Sequence, residues 1–408
     1  MVVGAGIVGI CCARALQRDG AAVTVIDPLP PGRGASFGNA GGMAVTEVAP
    51  LALPGTIRRV PRWLMDPLGP LTIRWPYLPR LAPWLWRFWR ASTRARAEAA
   101  AQALADLHKS AYDDYAPLLA EAGISDILKR QGCISLYRSE EALARDALEW
   151  ELKRRHGVRV ERLGAEELRQ MEPALAPVFA AGIFMPDWGH VADPYRVVAA
   201  IAEHFARQGG TLRAARAVRI EIADDAARAV LTEAGERIEC DLVVIAAGAW
   251  SRKLARKLGD KVPLESERGY HSTLPTPGVR VNRMLHSAEG GFVVTPMAMG
   301  LRLAGTVELG GLELAPDYAR ARVLVDRAKR FLPGLNAEGA SEWMGHRPSL
   351  PDSLPVIGRS PRVANALYAF GHGHLGLTEG ATTGRLIARL ALGRDPGIDL
   401  RPFRVDRF

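Results

Sequence analysis

Apolar and polar positions alternate between two periods along this chain, and the first forty residues show both. Val2 and Val3 lead into Gly4, Ala5, Gly6, Ile7, Val8 and Gly9. Apolar residues then recur at helical spacing from Ile7 to Leu16 until Gly20 stops them. Ala22 to Ile26 reads as a buried strand that delivers Asp27, and a glycine- and proline-rich loop follows from 28 to 44. Further on, the pattern predicts an alanine-rich helix over 95–121, a strand over 132–137, helix over 139–156 and a strand with a turn over 181–189. Asp193 and Pro194 then open a capped helix that runs to Gln208. The alternation from Thr211 to Asp241 predicts a short antiparallel meander, whereas Asp241 to Ser251 is apolar without alternation, as in a parallel strand covered on both faces. Several strands over 265–310, a helix over 316–332 and a last strand, glycine-rich turn and helix complete the reading.

Strand, glycine turn, helix, strand and carboxylate in that order form a dinucleotide fingerprint. Gly4 permits the tight turn, Gly6 leaves room for phosphate above the helix N-terminus, Gly9 lets helix and strand pack, and Asp27 accepts hydrogen bonds from a ribose. Flavin and nicotinamide dinucleotides share the adenosine diphosphate half, so the motif does not choose between them. The predicted class is α/β, with a discontinuous Rossmann-type nucleotide domain built from 1–50, 190–262 and 345–408. Residues 51–189 and 263–344 would form a second, α+β domain with a mainly antiparallel sheet that caps the cofactor and carries the substrate.

Composition removes several alternatives. Cysteines 11, 12, 133 and 240 have no metal-type spacing, and neither a metal cluster nor a Ser, His, Asp nucleophile set is evident. No apolar run approaches a membrane span and no charged-then-apolar leader precedes the first strand, so a cytoplasmic location is expected. The strand before Gly4 is short enough that the start of the chain stays open. The net charge of +9 is concentrated between Arg58 and Arg96, where nine arginines face the single acid Asp66 and five of the nine tryptophans are interleaved with prolines. Such a segment suits a bilayer interface, and equally a solvated basic surface. No nucleic-acid module surrounds it.

Segments spread over nearly the whole chain resemble, in order, the flavin-dependent D-amino acid oxidase and dehydrogenase superfamily. They are the N-terminal "VVGAGIVGICCARALQRDGAAVTVID", "GASFGNAGGM", "VVIAAGAWS", "RGYH" at 268–271, "RPSLPDSLPVIG" at 347–358 and "GHGHLGLTEGATTG" at 371–384. "SFGNAGGM", "RGYH" and the basic aromatic insertion are most similar to bacterial D-amino acid dehydrogenases, including those acting on D-proline or D-hydroxyproline. The resemblance implies FAD, held without a covalent bond because the region Gly345 to Gly358 lacks the cysteine that tethers flavin in related sarcosine oxidases. It assigns to the cofactor Gly4, Ala5, Gly6, Ile7, Val8, Gly9, Asp27 and Pro28, then Ser36, Asn39, Ala40, Gly41, Gly42 and Met43 of the loop along the flavin. Val218 beside the adenine follows, with Ala247, Gly248 and Trp250, and Gly371, Gly373, His374, Leu375, Gly376, Leu377 and Thr378 at the pyrimidine end.

Arg347 falls where the family binds the substrate carboxylate, with Tyr270, His271, His346 and His374 as candidates for shaping the pocket or taking a proton. The implied reaction moves a hydride from Cα of a D-amino acid, or a cyclic D-imino acid, to flavin N5, giving the imine and then the 2-oxo acid. Electrons would pass to a quinone or another acceptor, with residues 58–90 docking the enzyme on the inner membrane face. The competing readings are an oxygen-using amine oxidase of the glycine or sarcosine type and a non-catalytic flavin relay subunit.

Overall fold

The computed structural model describes residues 1–56, 60 and 63–408. Five short strands run parallel in the spatial order Thr211–Ala214, Thr24–Asp27, Val2–Val3, Val243–Ile245 and Ala366–Phe370. Val356–Arg359 closes the sheet antiparallel to the last of them. Alternate side chains of these strands enter two separate cores. Val2, Val25, Val244 and Leu367 face one, and Val3, Ile26, Val243, Ile245 and Tyr368 face the other, which is why Val2–Val3 and Val243–Ile245 at the centre of the sheet are apolar at every position.

The first helix, Ile7–Arg18, lies in the former core between Pro194–Arg207 and Gly376–Ala391. It approaches the C-terminal helix closely because Gly384 has no Cβ, which would stand 2.6 Å from the Cys11 carbonyl oxygen.

Thr211–Ala214, expected as the first strand of the meander, instead pairs in parallel with Thr24–Asp27. All four of its residues are exposed, and at a sheet edge their alternation has the same signature as a hairpin strand. The meander itself is Ala217–Ala223, Ala226–Thr232 and Arg237–Glu239. The helix expected over 95–121 is two, Arg94–His108 and Ala111–Glu121, both packed on the C-terminal helix.

The second layer is a nine-stranded sheet in the order Ser341–Ser349, Glu265–Leu274, Gly300–Leu309, Phe292–Met297, Met284–Ser287, Cys133–Tyr137, Ala181–Met185 and Glu161–Gly164, with Leu71–Ile73 added on Gly300–Leu309. Only the Leu71–Ile73 and the Met284–Ser287 to Cys133–Tyr137 pairings are parallel. Helix Ala319–Lys329 packs on this sheet. The strand Ser341–Ser349 is paired along its whole length with Glu265–Leu274, so the chain rejoins the nucleotide sheet only at Val356.

In the tryptophan-rich segment, helix Leu78–Ala91 buries Leu81 and Trp84 and leaves Trp86, Trp89, Arg87 and Arg90 outward, with Trp75 exposed just before it. Arg58, Arg59, Pro61 and Arg62 of that segment lie outside the described residues. Among the described residues no helix is long and apolar enough to cross a membrane.

Candidate functional site

Between the two large sheets runs one cavity of about 1250 Å³, above the roughly 300–1,000 Å³ usual for a single small ligand. Its nucleotide end is built by the opening fingerprint. Gly4 takes a φ of +113°, and a Cβ there would stand 2.3 Å from the Ala246 carbonyl oxygen. A Cβ on Gly9 would stand 1.9 Å from the Gly4 oxygen. Gly6 differs, because its nearest neighbour would be Ser36 Oγ at 3.5 Å and the space above it belongs to the cavity.

The Asp27 carboxylate accepts from the Ala5 amide at 2.8 Å and from the Leu29 amide at 2.8 Å, which braces the turn and leaves acceptor capacity for a ribose. Ser36 Oγ accepts from the Ile7 amide at 3.0 Å. Gly4, Gly6, Ile7, Val8, Asp27, Pro28 and Ser36 line the cavity, while Ala5 and Gly9 stand behind it. Val218 lines it from a bulge between Ala217 and Arg219 that takes it out of the strand ladder, and Ala247, Gly248 and Trp250 form the adjoining wall.

Past Ser36 the loop continues over Asn39, Ala40 and Gly42, all in the lining. Gly41 turns at a φ of +79° with its amide on Asn39 Oδ1 at 2.7 Å. Met43 is buried and pairs with Gly189. Thr378 is a clamp behind the wall: its Oγ1 accepts from the Ala44 amide at 2.9 Å and donates to the Gly42 carbonyl at 3.4 Å, tying this loop to the C-terminal helix. His271 holds the loop from the other side, with Nδ1 on the Gly38 carbonyl at 3.0 Å and its ring stacked 5.2 Å from Trp343, and it does not reach the cavity.

Arg302, which the sequence pattern left unremarked, adds Nη1 to the Asn39 carbonyl at 2.7 Å. Burial drops its pKa to about 10. The second glycine turn places Gly373, His374, Leu375, Gly376 and Leu377 in the lining, with the mouth of helix Gly376–Ala391 favouring negative charge there. Gly371, at a φ of +86°, packs on Leu350 behind them.

"RGYH" resolves into four separate tasks. Arg268 forms a fully buried ion pair with Glu308 at 2.7 Å, and Tyr270 donates to the same carboxylate at 2.5 Å while accepting from the Asp317 amide at 3.1 Å. Tyr270 therefore offers the cavity its ring rather than its hydroxyl, and burial raises that phenol to about 12. Gly269 is the seat of Arg347: a Cβ there would stand 2.3 Å from the Arg347 Cζ.

The Arg347 guanidinium lines the cavity and donates through Nη1 to the Thr306 carbonyl at 3.1 Å. Among the described residues it has no carboxylate within ion-pair distance. Its pKa is lowered by burial against the pull of Glu267. A half-buried guanidinium on a cavity wall with no carboxylate at ion-pair distance is a site for an anion.

His346 and His374 flank this end. His346 Nδ1 lies 2.8 Å from Ser266 Oγ with its ring edge-on to Trp250 at 5.3 Å. His374 is exposed on the cavity lining, and desolvation, helped by Arg347, pushes its imidazole down to about 4. Burial does the same to His190, to about 4, and to His271 and His372, each to about 3. Each ring is neutral in the fold, whereas the unfolded chain takes up its proton near 6.5. Stability is therefore lost as pH falls below about 6.5, and the loss is complete only below the folded values.

With three of these rings fully inside the protein, the loss reaches about 1.4 kcal/mol per pH unit for each. The melting temperature should drop steeply between pH 6.5 and 4. A flat profile over that window would show that the rings stay solvated.

The residues present fit FAD. The glycine cradle and helix mouth would hold its pyrophosphate, Asp27 its ribose, Val218 its adenine, and the loop 39–42 with the turn 373–377 its ring. No cluster of metal ligands occurs among the described residues. The model of the DAO family, described as FAD dependent oxidoreductase, matches residues 1–390. A D-amino-acid oxidase of Bradyrhizobium diazoefficiens is 42% identical over 100% of this chain and 98% of its own length. A D-amino acid dehydrogenase of Paramagnetospirillum magneticum is 32% identical with the same coverage.

Among solved structures, the fold is similar to L-proline dehydrogenase from P. horikoshii, with a TM-score of 0.76 and 21% identity over 100% and 96% of the two chains. It is similar also to glycine oxidase from Geobacillus kaustophilus, at 0.74 and 23% over 100% and 98%. The chain belongs to the DAO family and is an FAD-dependent oxidoreductase.

Proposed function

We propose that this enzyme oxidises a D-amino acid, or a cyclic D-imino acid, to its imine, with Arg347 as the anchor for the α-carboxylate. The observation that carries the reading is the guanidinium on the cavity wall with no carboxylate within ion-pair distance among the described residues, seated on Gly269 and steadied by the Thr306 carbonyl. The relatives named as acting on D-amino acids support the substrate class. An arginine fork meets a carboxylate in two parallel hydrogen bonds, which fixes the substrate's Cα relative to the ring and so supplies most of what the reaction needs. FAD, when bound, supplies the two-electron acceptor. Tyr270 and His374 shape the wall beside the anchor; a ring held neutral down to about pH 4 is a poor carrier of the ammonium proton. Anaerobic bleaching of the flavin by D-amino acids, and not by their L-forms, is the expected result of a substrate screen that also includes sarcosine and proline derivatives. Enzyme that stays yellow with every D-amino acid would defeat the reading.

Electrons pass onward, in this proposal, to a membrane quinone, and the outward face of helix Leu78–Ala91 is the docking surface. Trp86 and Trp89 are exposed with ring centroids 4.9 Å apart, beside Arg87 and Arg90, a pairing of interfacial rings with cations that anionic lipid attracts. Replacing Trp86 and Trp89 together by alanine should cut binding to phosphatidylglycerol-containing liposomes at least tenfold, with flavin content unchanged. Equal sedimentation of the variant and the parent with such liposomes would count against docking. A second reading, in which oxygen takes the electrons, is favoured by the name of the 42% identical relative. Comparing reoxidation of the reduced enzyme by air and by a soluble quinone separates the two.

A further inference from the structure

Opposite Gly269, the strand Gly300–Leu309 carries one residue too many. Arg268 pairs with Glu308 and Tyr270 with Gly305, so Thr306 and Val307 together face Gly269 in a bulge. Thr306 adopts a φ of +53°, a left-handed conformation that a β-branched residue seldom takes and that glycine would take freely. The residue is 2% exposed, it lines the cavity, and its hydroxyl has no hydrogen-bond partner among the described residues. Two unfavourable features thus fall on one residue, the one whose carbonyl steadies Arg347 at 3.1 Å. A bulge re-aims a side chain, and strain of this kind collects where a ligand is held. A glycine would keep the carbonyl and take this backbone conformation freely, while losing the hydroxyl together with the Cβ and methyl.

We propose that the Thr306 hydroxyl is the second donor to the carboxylate held by Arg347, which makes Thr306 a specificity-determining residue for carboxylate ligands. The inference rests on Arg347 as the carboxylate anchor. Covalent geometry keeps the hydroxyl close to the Thr306 carbonyl that Arg347 grips, and a donor there satisfies its orphaned oxygen only when an acceptor occupies the cavity.

The test uses the FAD-loaded enzyme titrated with benzoate, a carboxylate with no oxidisable Cα–H, followed by the perturbation of flavin absorbance. Thr306→Val should weaken benzoate roughly tenfold, while Thr306→Ser stays within about twofold of the parent. Thr306→Gly should weaken benzoate like the valine without lowering the melting temperature, and it carries the test if the valine variant does not fold. Arg347→Ala is the control. If Arg347→Ala weakens benzoate and the Thr306 variants do not, this inference alone falls. If benzoate fails to bind the parent, or binds Arg347→Ala equally well, the anchor itself is wrong. Weakened FAD binding in the valine variant, with benzoate affinity intact once FAD is supplied to saturation, would give the hydroxyl to the cofactor and overturn the proposal.

Discussion

Arg347→Ala should lower kcat/KM for D-amino acids by on the order of a hundredfold, chiefly through KM, while the enzyme stays fully yellow. The guanidinium lines the cavity on its seat at Gly269 and, among the described residues, has no carboxylate within ion-pair distance, so its removal takes that cation from the wall. Truncating one partner of a desolvated, hydrogen-bonded charge pair costs about 2–5 kcal/mol, and a carboxylate substrate would lose the lower part of that range because water enters the space left behind. Arg347→Lys keeps the charge but not the fork and should fall between the two. Retained flavin in both variants separates the anchor from the cofactor site. Unchanged saturation by D-amino acids in Arg347→Ala would remove the basis of the proposed reaction.

Gly9→Ala should yield protein that purifies colourless and does not regain flavin absorbance when FAD is added. The new Cβ would lie 1.9 Å from the Gly4 carbonyl oxygen and 2.9 Å from its carbon, and both are backbone atoms that cannot swing away. Overpacking of this kind costs about 1–3 kcal/mol where side chains can adjust, and more where a backbone turn must move. The helix would be pushed off the strand, and the amides at its mouth would leave the position where a pyrophosphate sits. Gly6→Ala is the informative companion. Its Cβ meets only Ser36 Oγ at 3.5 Å, so the apoprotein should fold as the parent does, and any weakening of FAD reports the ligand's own closeness. Full retention of FAD by Gly9→Ala, with an unchanged melting temperature, would mean that the fingerprint glycines serve packing alone.

The nucleotide half was legible because its signals are local. The glycine spacing, the helical period from Ile7 to Leu16 and the apolar run into Asp27 all lie within thirty residues, and the structure has a helix at Ile7–Arg18 and a strand at Thr24–Asp27 that begins two residues later than the apolar run. The substrate end was only partly legible, because its parts meet across strands. Gly269 lies 78 positions from the guanidinium it seats, a relation set by strand register and not by spacing. Arg302 reads as one more arginine in an alternating strand until the fold points it at the carbonyls of Phe37 and Asn39. Likewise His271, read as a pocket residue, and Thr378, read as a cofactor contact, instead grip the loop that runs along the cavity wall. Sequence places such residues near a site but does not distinguish touching a ligand from holding what touches it.

The strand Val2–Val3 lies between partners at Thr24–Asp27 and Val243–Ile245, and Ala366–Phe370 completes that side of the sheet. On the ribosome, the opening segment therefore waits for some 240 further residues before its second neighbour exists, and for over a hundred more before the helix that clamps the flavin loop emerges. Long-range pairing of this sort folds slowly and leaves strand edges bare in the meantime. The nascent polypeptide should consequently depend on chaperones, and FAD should be captured only late in synthesis.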